Sequence, residues 1–330
     1  MASSFTRRSA VAGLSLAGLA GCGETERPLW AADAQPANYP TVEALRHFAA
    51  TLEKLTGDEL RIKIYPGAQL GPERDTLEMT IFGGLDINRV NTAPLNPIAE
   101  ETIVPALPFV FSSIRHMRAC MDGEPGRHIL EALEPAGLKG LCFYDSGARS
   151  FYNSRRPVLE PSDLQGLKIR VQNSDLYVAT MKALGASATP MSFSEVYQAL
   201  VQKVIDGAEN NWPSYESTRH FEAAPFYSLT QHIMAPEVLV MSMRRWRLLT
   251  DDQRAAVLEA ARQSVPVMRR IWDARVETSR KIVLGAGVTV NDISDKSLFR
   301  SKVQPVYERF INRKLIPLVE LIGDTAVPLG

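Results

Sequence analysis

The sequence predicts an α/β protein of two domains bridged by one long helix. Three observations carry that prediction: a βαβαβ rhythm over residues 29–91, a second alternation of strand and helix over 139–210, and a capped helical run from Thr250 to about Leu284. The chain has 330 residues, 45% of them apolar, enough to fill two cores of ordinary size.

The first domain opens with a short strand at Leu29 to Asp33. A helix follows from Pro40 or Thr41 and stops before Gly57, since proline suits a first helical turn and glycine an end. Leu60 to Tyr65 alternates as a second strand, ERDTLEMTIF forms a helix closed by Gly83 and Gly84, and LDINRVN forms a third strand. Parallel strands joined by helices are the outcome of this order.

In the second half Lys139 to Tyr144 and LKIRV read as strands, with a helix from Asp175 to Gly185. Ser192 and Glu195 form a capping-box pattern that starts a helix stopping near Gly207, and a strand with a polar end follows in IDGAENNWPSYES. Thr250 and Gln253 repeat the capping pattern at the head of the long helix, which should kink at Pro266. VTVND is a last strand and VYERFINRKLIPLVELI a terminal helix.

Lysine plus arginine and aspartate plus glutamate both total 37, so no basic excess marks a nucleic acid or an anionic membrane as partner. MASSFTRRSAVAGLSLAGLAGC has the form of an export signal: Arg7 and Arg8 suggest the twin-arginine route, and Leu19–Ala20–Gly21–Cys22 resembles a lipoprotein cleavage box. An ordinary secretory signal with a chance cysteine is the alternative. No later segment approaches the length of a spanning helix. Cys120 and Cys142 could pair, but two cysteines without a spacing motif are more often packed thiols.

Enzyme signatures are scarce. There is no GxSxG, HExxH or GxxxxGK[ST], and His47, His116, His128, His220 and His232 lack ligand spacing, so neither metal nor cofactor is expected. The sequence offers polar residues at strand ends instead, where ligands of α/β domains bind. Arg170 alternates against Ile169 and Val171. It is either an ordinary solvated side chain or, in a cleft, a fixed guanidinium for an anion. Arg149 in DSGARSFYNS and the Asn210–Asn211 pair before Trp212 and Tyr215 are the other candidates.

The run from LKGLCFYDSGARSFYNS through LKIRVQNSD to AENNWPSYES strongly resembles the substrate-binding proteins of TRAP transporters, the DctP-like family of periplasmic solute receptors. YPGAQLGPERDTLEM, GGLDINRVNTAP, LPFVF, PEVLVMSMRRW and LTDDQRAAVLEAA extend the likeness over nearly all of 28–322. The resemblance implies a two-lobed fold with a ligand cleft between the lobes and a helix bridging them. It implies an export signal at 1–26, lobe I at 27–147, lobe II at 148–235, a return to lobe I at 236–275, and the end of the bridging helix with the rest of lobe II at 276–330.

It also implies that Arg170 grips a substrate carboxylate, that Arg149 is a second cationic contact, that Asn210 touches the ligand, and that Asn91 faces the cleft from the other lobe. ARSFYNS, RVQNSD, AENNWPSYES and a YPT helix start look like the receptors for sugar acids such as glucuronate or galacturonate. Glu73, Gln172, Asn210 and Asn211 would then meet ring hydroxyls, and Trp212, Tyr215 or Tyr39 would cover an apolar sugar face. Gln35 and Asn38 depart from the family's common histidine and acidic residue. The expectation is a monomeric periplasmic receptor, free or anchored through Cys22, that delivers an organic acid to TRAP permease subunits. An enzyme acting on a carboxylated sugar and a sensing module of a membrane receptor are the alternatives.

Overall fold

The structure is a computed structural model and describes residues 27–327. The export signal and Cys22 lie outside the described residues. Eleven strands form two sheets: β1 (Leu29–Asp33), β2 (Ile62–Tyr65), β3 (Ile87–Asn91), β4 (Leu138–Tyr144), β5 (Arg149–Asn153), β6 (Lys168–Val171), β7 (Ser187–Pro190), β8 (Gly207–Asn210), β9 (Phe226–Ile233), β10 (Glu237–Ser242) and β11 (Thr289–Asp292).

One sheet has the order β2-β1-β3-β10-β4 and the other β11-β9-β5-β8-β6-β7. β1 is parallel to β2 and β3, with the helices Pro40–Leu55 and Glu73–Phe82 in the connections. β10 comes back late in the chain to lie antiparallel between β3 and β4. The chain therefore passes between sheets after β4, after β9 and along the helix Asp251–Gly285, and these repeated crossings make two lobes of one molecule.

The helix Pro40–Leu55 buries Leu45, Phe48 and Leu52, a spacing that puts them on one side. They share a core with Val257, Ala260, Ala261, Met268 and Trp272 of the long helix, and each buried large side chain contributes about 1.5–3 kcal/mol. Farther along, Val283 joins Tyr152, Leu200 and Tyr227 in the core of the other lobe, and Arg275 pairs with Glu216 there at 2.5 Å. One helix thus packs against both lobes. Its predicted capping box is present: Thr250 Oγ1 accepts from Gln253 N at 3.2 Å while Gln253 Oε1 accepts from Thr250 N at 3.1 Å. Helical assignment continues through Pro266.

Two expectations need correction. The terminal helix is two helices, Gln304–Phe310 and Ile316–Asp324. Asn312 Oδ1 accepts from Lys314 N and Leu315 N to form a turn between them, and Pro317 restarts rather than continues the helix. The helix expected from the Ser192 capping box is also short, a 3-10 turn at Phe193–Glu195 followed by Val196–Val201. Cys120 and Cys142 are free and buried.

Two glycines are required where chains approach closely. Gly147, in the crossing after β4, has φ +59, and a Cβ there would stand 3.1 Å from the Trp272 ring. Gly207, at the start of β8, leaves room for the carbonyl of Tyr152, which a Cβ would meet at 2.2 Å. Since that neighbour is backbone of the paired strand, Gly207→Ala should cost about 2–3 kcal/mol. Urea unfolding checks this, and a midpoint unchanged from wild type would contradict it.

Candidate functional site

A cavity of about 680 Å³ lies between the two sheets, with walls from both lobes. Arg149, Arg170, Gln172, Met191, Phe193 and Asn210 line it from one lobe. Gln35, Glu73, Arg89, Asn91 and Glu237 line it from the other, beside an apolar stretch that includes Leu77, Ile81 and Pro97.

The strand β6 places Arg170. Ile169 and Val171 are fully buried on one side, so the pleat turns Arg170 the other way. That side is the cavity wall, and Arg170 is only 3% exposed. Its Nε and Nη2 both donate to the carbonyl of Met191, at 2.9 and 2.7 Å. The end-on pair of N–H groups shared by Nη1 and Nη2 is left for a carboxylate. Among the described residues no carboxylate stands within ion-pair distance of Arg170. Burial pushes its proton affinity down to about 10, with the charges of Tyr152 and Glu209 opposing that, so at neutral pH it remains a cation.

Arg149 is committed differently. Its Nε and Nη2 form a fork on Glu209 Oε2 and Oε1 at 2.5 and 2.8 Å, Nη2 also donates to the Glu209 carbonyl at 2.7 Å, and Nη1 donates to Asn210 Oδ1 at 2.9 Å. Both side chains are buried, at 2% and 0% exposure. Arg149 therefore brings no net positive charge to the cavity, but it fixes Asn210, whose Oδ1 also accepts from Asn211 N at 2.9 Å. The amide nitrogen of Asn210 is its uncommitted end.

Facing these residues is a cluster of which sequence reasoning named Glu73 and Asn91 but missed Arg89, Asp33 and Glu237. Arg89, wholly buried in β3, contacts Asp33 and lies 3.4 Å from Glu73 and 3.3 Å from Glu237. One guanidinium thus sits among three carboxyl groups. Asn91 holds Glu73 in place by donating from its backbone N at 2.7 Å and from Nδ2 at 2.9 and 3.0 Å. The available signal was the one that pointed to Arg170: a charged residue inside a short apolar strand, here Arg89 in INRVN.

Of the remaining expected residues, Gln172 lines the cavity, whereas Asn211, Trp212, Tyr215 and Tyr39 are not among its walls. Asn211 caps the helix Trp212–Ser217 by accepting from Ser214 N at 2.8 Å, and its Nδ2 donates to the carbonyl of Ser146 in the inter-lobe crossing at 2.8 Å. The Tyr39 hydroxyl reaches from lobe I to Ser214 Oγ at 2.8 Å. Trp212 packs against Tyr227 at 4.3 Å, and the hydroxyl of Tyr215 donates to the carbonyl of Ala224 at 2.6 Å, deep in a core with Tyr152. These side chains brace the lobes and the crossing. The aromatic rings at the cavity are Phe82 and Phe193, the latter 6.0 Å from the Arg170 guanidinium.

The walls therefore differ in charge. One lobe offers an uncompensated guanidinium and the other an excess of carboxyl groups, an arrangement suited to a molecule with a carboxylate at one end and hydroxyl donors at the other. Among the described residues, no group of His, Cys, Asp and Glu could hold a metal ion, and no helix is long and apolar enough to cross a membrane.

The comparisons with known proteins agree on the class of molecule. A solute-binding protein of Chromohalobacter salexigens is 43% identical over 88% of this chain and 87% of its own length. The crystal structure of a TRAP periplasmic solute-binding protein from Bradyrhizobium, in complex with D-galacturonate, is 51% identical and superposes with a TM-score of 0.89 over 91% of this chain and 100% of that one. Another, from Roseobacter denitrificans with bound β-D-glucuronate, is 42% identical with a TM-score of 0.89 over 91% and 100% of the two chains. Residues 31–314 match the family of bacterial extracellular solute-binding proteins, family 7. The chain belongs to that family, the DctP-type solute receptors of TRAP transporters, which are periplasmic binding proteins rather than enzymes.

Proposed function

We propose that this protein captures a hexuronate, galacturonate or glucuronate in type, and delivers it to the permease subunits of a TRAP transporter. Residues 1–26 serve as its export signal, with Cys22 as a lipid anchor in the lipoprotein form of that signal. Residues 27–147 and 236–275 make up lobe I, and 148–235 and 276–330 lobe II. Arg170 holds the sugar's carboxylate end-on. Asn210 and Gln172 meet hydroxyl groups near it, Phe193 covers an apolar sugar face, and Glu73, positioned by Asn91, accepts from the hydroxyls farther away. Arg149 acts through Asn210 rather than by charge.

The observation that carries this reading is the contrast between the two walls. A simple monocarboxylate would leave the acidic wall without donors. A dicarboxylate would set its second charge against the Glu73 carboxylate, where like charges in a poorly solvated space cost several kcal/mol, on the order of the penalties at mismatched interfaces. A sugar acid satisfies both walls. The two uronate complexes described above support the same ligand class.

Titration calorimetry with D-galacturonate, D-glucuronate, D-galactose and succinate tests it. A uronate should bind at least tenfold more tightly than either the neutral sugar or the dicarboxylate, and mass spectrometry should recover it unchanged. Tightest binding of succinate, or conversion of the uronate, would overturn the proposal.

A further inference from the structure

Arg89 cannot balance the carboxyl groups around it. Asp33 comes from the end of β1, Glu73 from the first turn of its helix and Glu237 from the first residue of β10, and all three converge on the one buried guanidinium. Fully ionised, this set would carry two uncompensated negative charges in a region from which water is largely excluded. Asp33 is well supported, since Oδ1 accepts from Gln35 N at 2.8 Å and Oδ2 from Thr41 Oγ1 at 2.6 Å. Glu73 is held by three donations from Asn91. Glu237 is the exception: it is 1% exposed, lines the cavity, and its Oε2 makes no hydrogen bond.

We propose that Glu237 carries a proton that halves the excess negative charge of this cluster, and that capture of a sugar acid takes up a further fraction of a proton at Glu237, making it a specificity residue whose neutral carboxyl group faces the hydroxyl end of the ligand. This deepens the uronate reading and rests on it. Burial, opposed by Arg89 and by a hydrogen bond from Ser146 and aided by Asp33 and Glu73, brings the Glu237 carboxyl up to about 7, so both forms are present near neutral pH in the empty protein.

The direction of the linkage follows from the charges around the group. The ligand adds a negative charge to the cavity. Its carboxylate also neutralises Arg170, whose positive field across the cavity otherwise favours an ionised Glu237. The sugar displaces water from the cavity beside Glu237. All three changes favour the protonated form, so binding takes up protons and affinity falls as pH rises above about 7. The other groups packed on Glu237 do not reverse this sign. Tyr144 is its partner on β4, and both Tyr144 and Tyr39 are held neutral by burial, well above their usual range. His220 and His232, in the opposite lobe, are pushed down to about 3 by burial and stay neutral. A uronate carboxyl ionises far below this pH window.

Calorimetry with D-galacturonate at pH 7.5, in phosphate and in Tris, counts the protons exchanged. The wild type should take up between about 0.3 and 0.8 proton per site, with affinity dropping up to tenfold per pH unit from pH 7 to 8.5, the limit for one linked proton. Glu237→Gln, isosteric with the neutral acid, should bind without proton uptake and with affinity independent of pH over that range. Galacturonate binding by the wild type with no proton exchanged from pH 6 to 9 would overturn the inference while leaving the receptor reading intact, and so would uptake persisting in Glu237→Gln. Binding of no uronate at all would remove the receptor reading and this inference with it. The wild-type count decides the question even if the variant does not fold.

Discussion

Replacing Arg170 with alanine should lower the affinity for a uronate by at least tenfold, about 1.4 kcal/mol, with the loss approaching the 2–5 kcal/mol typical of truncating one partner of a buried, hydrogen-bonded charge pair. The reason lies in how the guanidinium is held. With two N–H groups fixed on the Met191 carbonyl, the free end is already oriented, so little rotational freedom is lost when a carboxylate docks. Lysine keeps the charge but not the fork, and Arg170→Lys should lose most of the same affinity.

A second readout separates ligand recognition from structural support. Folding lowers the proton affinity of Arg170 from its ordinary value to about 10, so its burial opposes folding below that pH and the penalty is relieved as pH rises through about 10. At neutral pH the empty protein therefore bears a buried cation without a carboxylate partner, and Arg170→Met should be at least as stable as wild type in urea while failing to bind. A ligand carboxylate should raise the thermal midpoint of the wild type and not that of the variant. A marked loss of stability in empty Arg170→Met, with binding intact, would make Arg170 a structural residue and contradict the account.

The second large effect concerns Glu209. Glu209→Ala should destabilise the protein by about 3–5 kcal/mol, because it strands the wholly buried Arg149 guanidinium without its counter-charge. His232 cannot replace that interaction. It stacks on Phe151 at 4.3 Å and stays neutral, its proton affinity lowered by burial and by the Arg149 charge. Arg149→Lys, although it retains charge, loses the fork on Glu209 and the bond to Asn210, so it should lower both stability and affinity. Replacing Arg149 and Glu209 together with apolar residues of similar volume should recover much of the stability but not the binding, since Asn210 then has no anchor. Urea unfolding of the single and double variants measures the coupling, and additive losses would show that the pair does not act as a unit.

Local signals were enough for much of the architecture. The helix Pro40–Leu55, the helix Glu73–Phe82 and the capped helix Asp251–Gly285 were each announced by residues within a few positions of their ends. β10 could not be placed in the same way. Its insertion between β3 and β4 is a pairing across roughly a hundred residues or more, and no local pattern encodes register at that range.

The same contrast holds at the site. The alternation in KIRV showed that Arg170 lies on the side away from Ile169 and Val171 but left open whether that side met solvent or a cleft, and the family resemblance supplied the cleft together with Gln172. Trp212 and Tyr215 misled because a polar strand end does not reveal which way a short following helix turns its aromatic rings, and here they enter the core. The Asp33–Arg89–Glu237 cluster was hidden for a further reason: its members come from β1, β3 and β10, and only the folded sheet brings them together.

The most direct measurement is a crystal structure of the protein with D-galacturonate. The carboxylate should lie within hydrogen-bond distance of Arg170 Nη1 and Nη2, with the ring hydroxyls toward Glu73 and Glu237. A sugar bound with its carboxylate on the Arg89 side, or held outside the space between the two sheets, would contradict the assignment.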